Sequence, residues 1–242
     1  GMGLLAAFLG ATFESAGADA TQPKGARRRR LAAQVLIVLH LIVSPVMLPV
    51  HSYSMKYVGD IVERGNGTIP SDPGIKEDRV VILSATGDIV YAMIPLMRSA
   101  LNQPFPRAFW VLYSGNRELS VARPDAHTLE ITNPDGWMEQ PWSFLFCRLP
   151  HSAMRAGQVI KTEGLTVAVL SVTPDGRPTR VRFQFDRPLE DASLRWLTWR
   201  DGAYVPFAVP SEGSETVIPE LTVKSALEQA VASQAGPIWD ML

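Results

Sequence analysis

A long apolar run dominates the hydrophobic pattern of this chain. It extends from Leu31 to Val50 without an Asp, Glu, Lys or Arg. As a helix, about twenty residues rise roughly 30 Å, the thickness of the hydrocarbon core of a bilayer. Four consecutive arginines, Arg27 to Arg30, precede the run. Because basic flanks stay on the cytoplasmic side, the pattern predicts a transmembrane helix over 31–50 that leads out of the cytoplasm.

The residues before the arginines fit the end of another span. Gly1–Phe13 is apolar but too short to cross a bilayer alone, so we interpret it as the last turns of a preceding helix. Residues 14–30 would then form a basic cytoplasmic loop of a larger polytopic protein. The alternative is a native start at Met2 with a single anchor. A cleavable signal peptide fits less well, because the apolar run is long and no clear small-x-small site follows it.

Two short segments follow the predicted span. Met55, Val58 and Val62 recur at helical spacing, which predicts a juxtamembrane helix from residue 51 to about Arg64. Residues 65–74 are dense in Gly, Pro, Asn and Ser, which predicts a linker. We therefore assign residues 1–50 to the membrane region and residues 51–74 to a juxtamembrane helix and linker.

Apolar strands and one helix alternate in the next part of the chain. Arg79–Ser84 and Ala108–Tyr113 are short continuous apolar runs, typical of strands buried on both faces. Between them, residues 88–102 carry apolar side chains at helical spacing, and Asp88 is the predicted N-cap. We predict one β-α-β unit over 79–113. The predicted buried face of its helix contains Ile89, Met93, Leu96, Met97 and Leu101.

The remainder of the chain has the alternating pattern of β-strands. Glu118–Ala122 and His127–Thr132 are short strands, and turn residues separate the members of two predicted hairpins. The hairpins pair Leu165–Val172 with Thr179–Phe185, and Leu194–Trp199 with Tyr204–Phe207. Two adjacent hairpins with alternating faces indicate a small sandwich or open barrel. A weak amphipathic helix is predicted over residues 221–235.

The predicted fold class is therefore α+β. One or two transmembrane helices precede an extracytoplasmic domain, which divides into an α/β part over residues 75–160 and a β-rich part over residues 161–242. The 242 residues carry a net charge of -1, so no nucleic-acid partner is indicated. The single cysteine, Cys147, excludes an intrachain disulfide and a cysteine-built zinc site. We predict no cofactor and no metal.

Two histidines are candidate binding residues in or near the predicted membrane helix. His40 lies in the middle of the apolar run, where an ionisable group is costly and often lines a path or a wet cavity. His51 lies eleven positions later, about three helical turns, so an unbroken helix would place both on one face. Pro45 and Pro49 weaken that alignment. We prefer the plain interpretation, a neutral imidazole hydrogen-bonded to a neighbouring helix.

Weak catalytic candidates occur in the exported part. Ser84 ends an apolar strand where a helix begins, and a nucleophilic serine there would need His127 or His151 as its base. The spacing differs from the Gly-x-Ser-x-Gly elbow of hydrolases. We therefore interpret Ser84 as part of a plain strand-to-helix turn. Aromatic residues such as Trp137, Trp142, Trp196 and Trp199 are interpreted as core rather than as a ligand surface.

The sequence also resembles a group of membrane proteins. The segments "LPVHSYSM", "TPDGRP", "VRFQFDRPLEDASLRWLTW" and "DGAYVPF" look like the C-terminal region of uncharacterised bacterial polytopic membrane proteins. This resemblance implies a multi-pass protein with an extracytoplasmic β-rich end. It implies no activity and no site residues.

Three functional hypotheses follow from the sequence. The first is a non-catalytic extracytoplasmic domain of an integral membrane protein, acting in binding or assembly. The second is a part of a transporter or intramembrane enzyme in which His40 lines the path. The third is a membrane-tethered hydrolase that uses Ser84. The predicted partners are the lipid bilayer and other transmembrane helices.

Overall fold

A computed structural model describes residues 31, 34–138 and 153–220, apart from the side chains of residues 50, 51, 53–55, 57 and 89. The chain divides into two compact units, Gly1–Gly59 and Asp60–Leu242. We call the first the N-terminal unit and the second the α+β unit. Three features from the sequence analysis lie outside the described residues: Trp142, Cys147 and the predicted helix over residues 221–235.

The N-terminal unit is helical wherever it is described beyond residue 33. A π-helical segment, Val38–Val43, is followed by helix α1, Ser44–Thr68. Pro45 has no N–H and cannot donate to the preceding turn, which is a known cause of helix irregularity. Next to it, both the backbone N–H and the hydroxyl of Ser44 donate to the carbonyl of Leu39.

The predicted transmembrane helix stays a prediction. Among the described residues, no helix is long and apolar enough to cross a membrane.

The described part of the α+β unit contains two sheets, with a second helix and the end of α1 packed on one of them. After a 3-10 turn, Pro73–Lys76, the described elements are β1 (Arg79–Ala85), α2 (Asp88–Ala100), β2 (Ala108–Ser114), β3 (Leu119–Asp125), β4 (Thr128–Thr132), β5 (Val159–Thr162), β6 (Leu165–Val172), β7 (Pro178–Phe185), β8 (Leu194–Arg200), β9 (Ala203–Pro206) and β10 (Glu215–Ile218). One sheet has the order β2-β1-β8-β9, and the other has the order β10-β3-β4-β7-β6-β5. This confirms the predicted α+β class with a β-rich domain.

Strand β1 is the centre of the four-stranded sheet. It pairs in parallel with β2 on one side and with β8 on the other, and all seven of its residues are buried. The sequence pattern of a strand buried on both faces is therefore confirmed. The predicted β-α-β unit is confirmed as well, since β1 and β2 are parallel and α2 connects them.

Both predicted hairpins form, but they belong to different sheets. Strands β6 and β7 lie in the six-stranded sheet, and β8 and β9 lie in the four-stranded sheet. The inward side chains of the two sheets share one core. The ring of Phe185 contacts Trp110 and Trp196 edge-on, with centroids 5.8 and 5.2 Å apart. The two sheets are therefore packed face to face, an arrangement stabilised by aromatic contacts between them.

The other face of the four-stranded sheet forms a second core with α2 and the end of α1. Val80, Ile82 and Ile94 are fully buried there. Trp137, Trp196 and Trp199 are each only 8% exposed. The interpretation of these three tryptophans as core residues is confirmed.

The predicted buried face of α2 is wrong in part. Val90, Ile94 and Arg98 point into the protein, whereas Leu96 is 62% exposed and Leu101 is 58% exposed. The reason is that α2 is apolar on more than one face, so helical spacing alone does not define which face meets the sheet. The predicted N-cap is also displaced by one residue. Gly87 occupies the N-cap and Asp88 is the first residue of the helix.

The turn-rich segment 65–74 is more ordered than its composition indicates. Helix α1 continues to Thr68, and a side chain at Gly65 would lie 3.1 Å from the ring of Trp199. The Asn66 side chain donates to Gln103 Oε1 at 2.7 Å, and the Thr68 hydroxyl accepts from the backbone N–H of Tyr204 at 2.9 Å. Gly65, Asn66 and Thr68 therefore lie against distant parts of the chain.

A pair of substitutions in α2 tests which face is buried. Ile94→Ala should destabilise the protein by about 2–5 kcal/mol, because it removes fully buried methyl and methylene groups. Leu96→Ala should change the free energy of unfolding by no more than about 0.5 kcal/mol, because its side chain is already exposed. Denaturant unfolding followed by tryptophan fluorescence measures both values. Equal losses from the two variants would contradict this orientation of the helix.

Candidate functional site

Ser84 lies where the sequence analysis predicted a strand-to-helix turn. It is the penultimate residue of β1, is 3% exposed and pairs with Tyr113 of β2. Two residues, Thr86 and Gly87, connect β1 to α2. In this turn the Thr86 hydroxyl donates to Asn116 Oδ1 at 3.5 Å, a long hydrogen bond. The turn thus closes over the end of the sheet and leaves little of Ser84 accessible.

His127 makes hydrogen bonds with Asp125 and Phe185. It lies in the turn between β3 and β4, where its backbone N–H donates to Asp125 Oδ1 at 2.8 Å and its carbonyl accepts from the N–H of Phe185. The first of these hydrogen bonds lowers the pKa of Asp125. Among the described residues, no hydrogen bond joins Ser84 to His127, and His151 lies outside them. The pairing of Ser84 with a histidine base, which needs hydrogen-bond reach, therefore stays a prediction.

His40 is satisfied within its own helix. It lies in the π-helical segment, is half-buried, and its Nδ1 is 2.9 Å from the carbonyl oxygen of Leu36. The tautomer with a proton on Nδ1 donates to that carbonyl, one turn earlier in the helix. Nδ1 therefore needs no partner from another helix. The side chain of His51 is not described, so a face shared by the two histidines stays a prediction.

A cluster of charged side chains on the six-stranded sheet surrounds Glu130. Its side chain is 5% exposed, and it accepts hydrogen bonds from Arg180 and Arg182 of the neighbouring strand β7. Arg182 lies directly opposite Glu130 in the strand register, with Nε 2.8 Å from Oε1. Burial alone would raise the pKa of Glu130, but the hydrogen bonds and positive charges of the two arginines outweigh it and hold the pKa below its ordinary value.

Buried arginines form a second kind of polar contact that the sequence analysis did not identify. Arg79 pairs with Asp186 at 2.5 Å and lies over the ring of Trp110, 5.7 Å from its centroid. Arg123 pairs with Glu190 and also donates to the carbonyl of Pro210 at 3.1 Å. The alternation of Arg180, Val181 and Arg182 indicates that one face of this strand is polar. It does not identify the partners of the arginines, because these partners are distant in sequence. These contacts hold strands and loops together.

None of these groups forms a metal site in the part of the chain that the structure describes, because no three His, Cys, Asp or Glu residues come together there. The polar groups that do cluster are ion pairs and turn hydrogen bonds. Their geometry is that of structural contacts between strands and loops.

Comparison with known proteins adds no relative. The sequence matches no protein-family model, and no curated protein or solved structure matches it. The resemblance to polytopic membrane proteins therefore stays a prediction. The class that the fold itself defines is an α+β domain with two packed sheets.

Removing the charge of Glu130 should lower stability in a pH-dependent way. Glu130→Gln should cost about 2 kcal/mol at pH 7, because it weakens hydrogen bonds to two arginines. A carboxyl group whose pKa is lower in the folded than in the unfolded protein stabilises the folded state at pH values above its unfolded-state pKa. This contribution is lost as the pH falls through the folded-state pKa. The difference from wild type should therefore shrink below about pH 4, near the ordinary carboxyl pKa. Denaturant unfolding at a series of pH values measures it.

The matched control for this experiment is Glu118→Gln. Glu118 is exposed and lies just before β3. Its substitution should leave the free energy of unfolding within about 0.5 kcal/mol of wild type at each pH. Indistinguishable pH profiles for the two variants would contradict the role of Glu130.

Proposed function

We propose that the protein is attached to a membrane through residues 31–50 and carries its α+β unit outside the cytoplasm in a non-catalytic binding or assembly role. The observation that carries the proposal is the exposure of the apolar run. The large apolar side chains that are exposed between Leu31 and Leu48 have 41–71% of their surface accessible. A soluble protein rarely leaves so continuous an apolar surface uncovered.

The exposed side chains also surround the helix. Leu41, Ile42 and Val43 are consecutive, and all three are exposed. Successive residues of a helix point in different directions around its axis, so this exposure is not confined to one stripe. A helix that is apolar on all sides is suited to a lipid environment or to the interior of a helix bundle. Both environments agree with the predicted partners, the bilayer and other transmembrane helices.

Charge supports the proposed orientation. Arg27–Arg30 directly precede the apolar run, whereas residues 51–70 after it contain only Lys56 and Arg64 as basic residues. This asymmetry supports a cytoplasmic N-terminal flank, with the α+β unit on the opposite side.

Two observations support a non-catalytic role. Ser84 is buried and has no hydrogen bond to His127. Several charged groups of the described α+β unit are engaged in ion pairs between elements, such as Glu130 with Arg180 and Arg79 with Asp186. A domain held by such contacts is suited to presenting a rigid surface.

Membrane attachment is testable by fractionation of the full chain. Wild-type protein expressed in bacteria should sediment with membranes and stay there after alkaline carbonate extraction. The double variant Leu39→Arg/Ile42→Arg should lose most of this material to the supernatant, because a charge at the centre of a span costs about 2.5–3.5 kcal/mol. Val159→Arg/Val217→Arg alters two exposed apolar positions on β5 and β10 and should behave as wild type. Extraction of the wild type by carbonate would overturn the attachment.

Orientation requires a separate measurement. Alkaline phosphatase fused after Leu242 should be active, because this enzyme needs an oxidising compartment for its disulfides. A green fluorescent protein fused at the same position should be dark if it is exported in an unfolded state. The opposite pair of results would place the α+β unit in the cytoplasm and contradict the proposal.

A further inference from the structure

An open cleft of about 740 Å³ lies beside the C-terminal end of α2. One wall comes from the segment before β1 and includes Ser71 and Lys76. The other wall comes from the chain after α2 and includes Asn102, Gln103 and Phe105. The volume is in the range of small-molecule sites.

The cleft carries positive charge without an acidic counterpart. Lys76 is exposed, and no described residue forms an ion pair or hydrogen bond with its ammonium group. No Asp or Glu is among the described residues that line the cleft. The nearby carboxylates of Asp72 and Asp78 are turned towards Arg195, at 2.9 and 2.5 Å. Lys76 is therefore available to an external anion.

A second cation lies directly behind the wall of the cleft. Arg98 is 1% exposed, and no described carboxylate pairs with it. Its guanidinium donates to the carbonyl of Pro104 at 2.6 Å, to the carbonyl of Pro70 at 3.1 Å and to the hydroxyl of Ser71 at 3.4 Å. Its Nη1 has no partner among the described residues. Buried charges are normally paired, and here only neutral oxygens compensate the charge.

This buried charge acts on the cleft through its lining. Ser71 and Pro104 both line the cleft and both bind the guanidinium of Arg98. A charge held in the protein interior is less screened than one at the surface, so its field extends into the adjoining space. The electrostatic potential of Arg98 and that of Lys76 therefore add in the same cleft.

The remaining lining supplies apolar surface and hydrogen-bond donors. Phe105 is 45% exposed on the cleft wall. The Gln103 carbonyl oxygen accepts from Asn66 at 2.7 Å, which leaves the Gln103 NH₂ group as a donor. An exposed aromatic ring next to an unpaired ammonium is suited to a ligand with one apolar and one anionic end.

We propose that this cleft binds a small organic carboxylate with an aromatic or aliphatic group, with Lys76 as its ion partner and Phe105 as its apolar contact. One accessible ammonium matches one negative charge. Phosphate recognition more often uses several backbone N–H groups or bidentate arginine, and Arg98 is committed to carbonyl oxygens. The inference rests on the proposed binding role, to which it adds a ligand class, but it does not depend on membrane attachment.

The test is a ligand-observed saturation-transfer NMR titration of the full chain in detergent. The observed probes are benzoate and its neutral analogue benzamide, and inorganic phosphate, which has no non-exchangeable protons, is tested as a competitor of the benzoate signal. Benzoate should bind saturably, and benzamide and phosphate should bind at least tenfold more weakly. Lys76→Gln should weaken benzoate binding at least tenfold, and Phe105→Ala should weaken it several-fold. Both side chains are exposed, so the variants should fold, which circular dichroism verifies.

The matched control variant is Lys161→Gln, which removes an exposed lysine on β5. It should bind benzoate as wild type does, and it corrects for partition of the probe into detergent. Equal binding by Lys76→Gln and Lys161→Gln, or equal binding of benzoate and benzamide, would overturn the proposal. If the chain resists carbonate extraction but shows either of these results, the proposed membrane attachment stands and only the proposed ligand class is rejected.

Discussion

The burial of β1 on both faces is the constraint on which the rest of the α+β unit depends. Val81 and Leu83 belong to the core between the two sheets, and Val80 and Ile82 belong to the core beneath α2. The two cores therefore share one strand and are stabilised together. Strand β1 also pairs in parallel with both β2 and β8, so its loss would separate these two strands.

The same constraint limits the chemistry that β1 can support. A polar side chain such as Ser84 in a doubly covered strand is enclosed by neighbouring elements, and only the loops at the strand ends can present groups to solvent. Accessible polar groups lie instead on the outer face of the six-stranded sheet and in the segments that flank α2. Lys76, in the turn before β1, is the example that matters for ligand binding.

Local patterns predicted the local elements well. The β-α-β unit and both hairpins followed from apolar runs, periodicity and turn residues, with bounds close to those observed. Long-range partners could not be predicted in this way. The parallel pairing of β1 with β8 joins segments more than a hundred residues apart, and the contact of Gly65 with Trp199 is equally distant. Ion pairs such as Arg79–Asp186 depend on the same tertiary pairing and were missed for that reason.

Helix α2 shows how one sequence pattern can serve two surfaces. Apolar residues at many angles around its axis allow it to cover the sheet with Val90 and Ile94 and still expose Leu96 and Leu101. The sheet selects one face because Arg98, on that face, finds carbonyl acceptors at Pro70 and Pro104. The exposed ring of Phe105, which follows α2 in the chain, lines the same cleft as the unpaired ammonium of Lys76. An apolar surface beside a single free charge favours an amphiphilic ligand over either a purely polar or a purely apolar one.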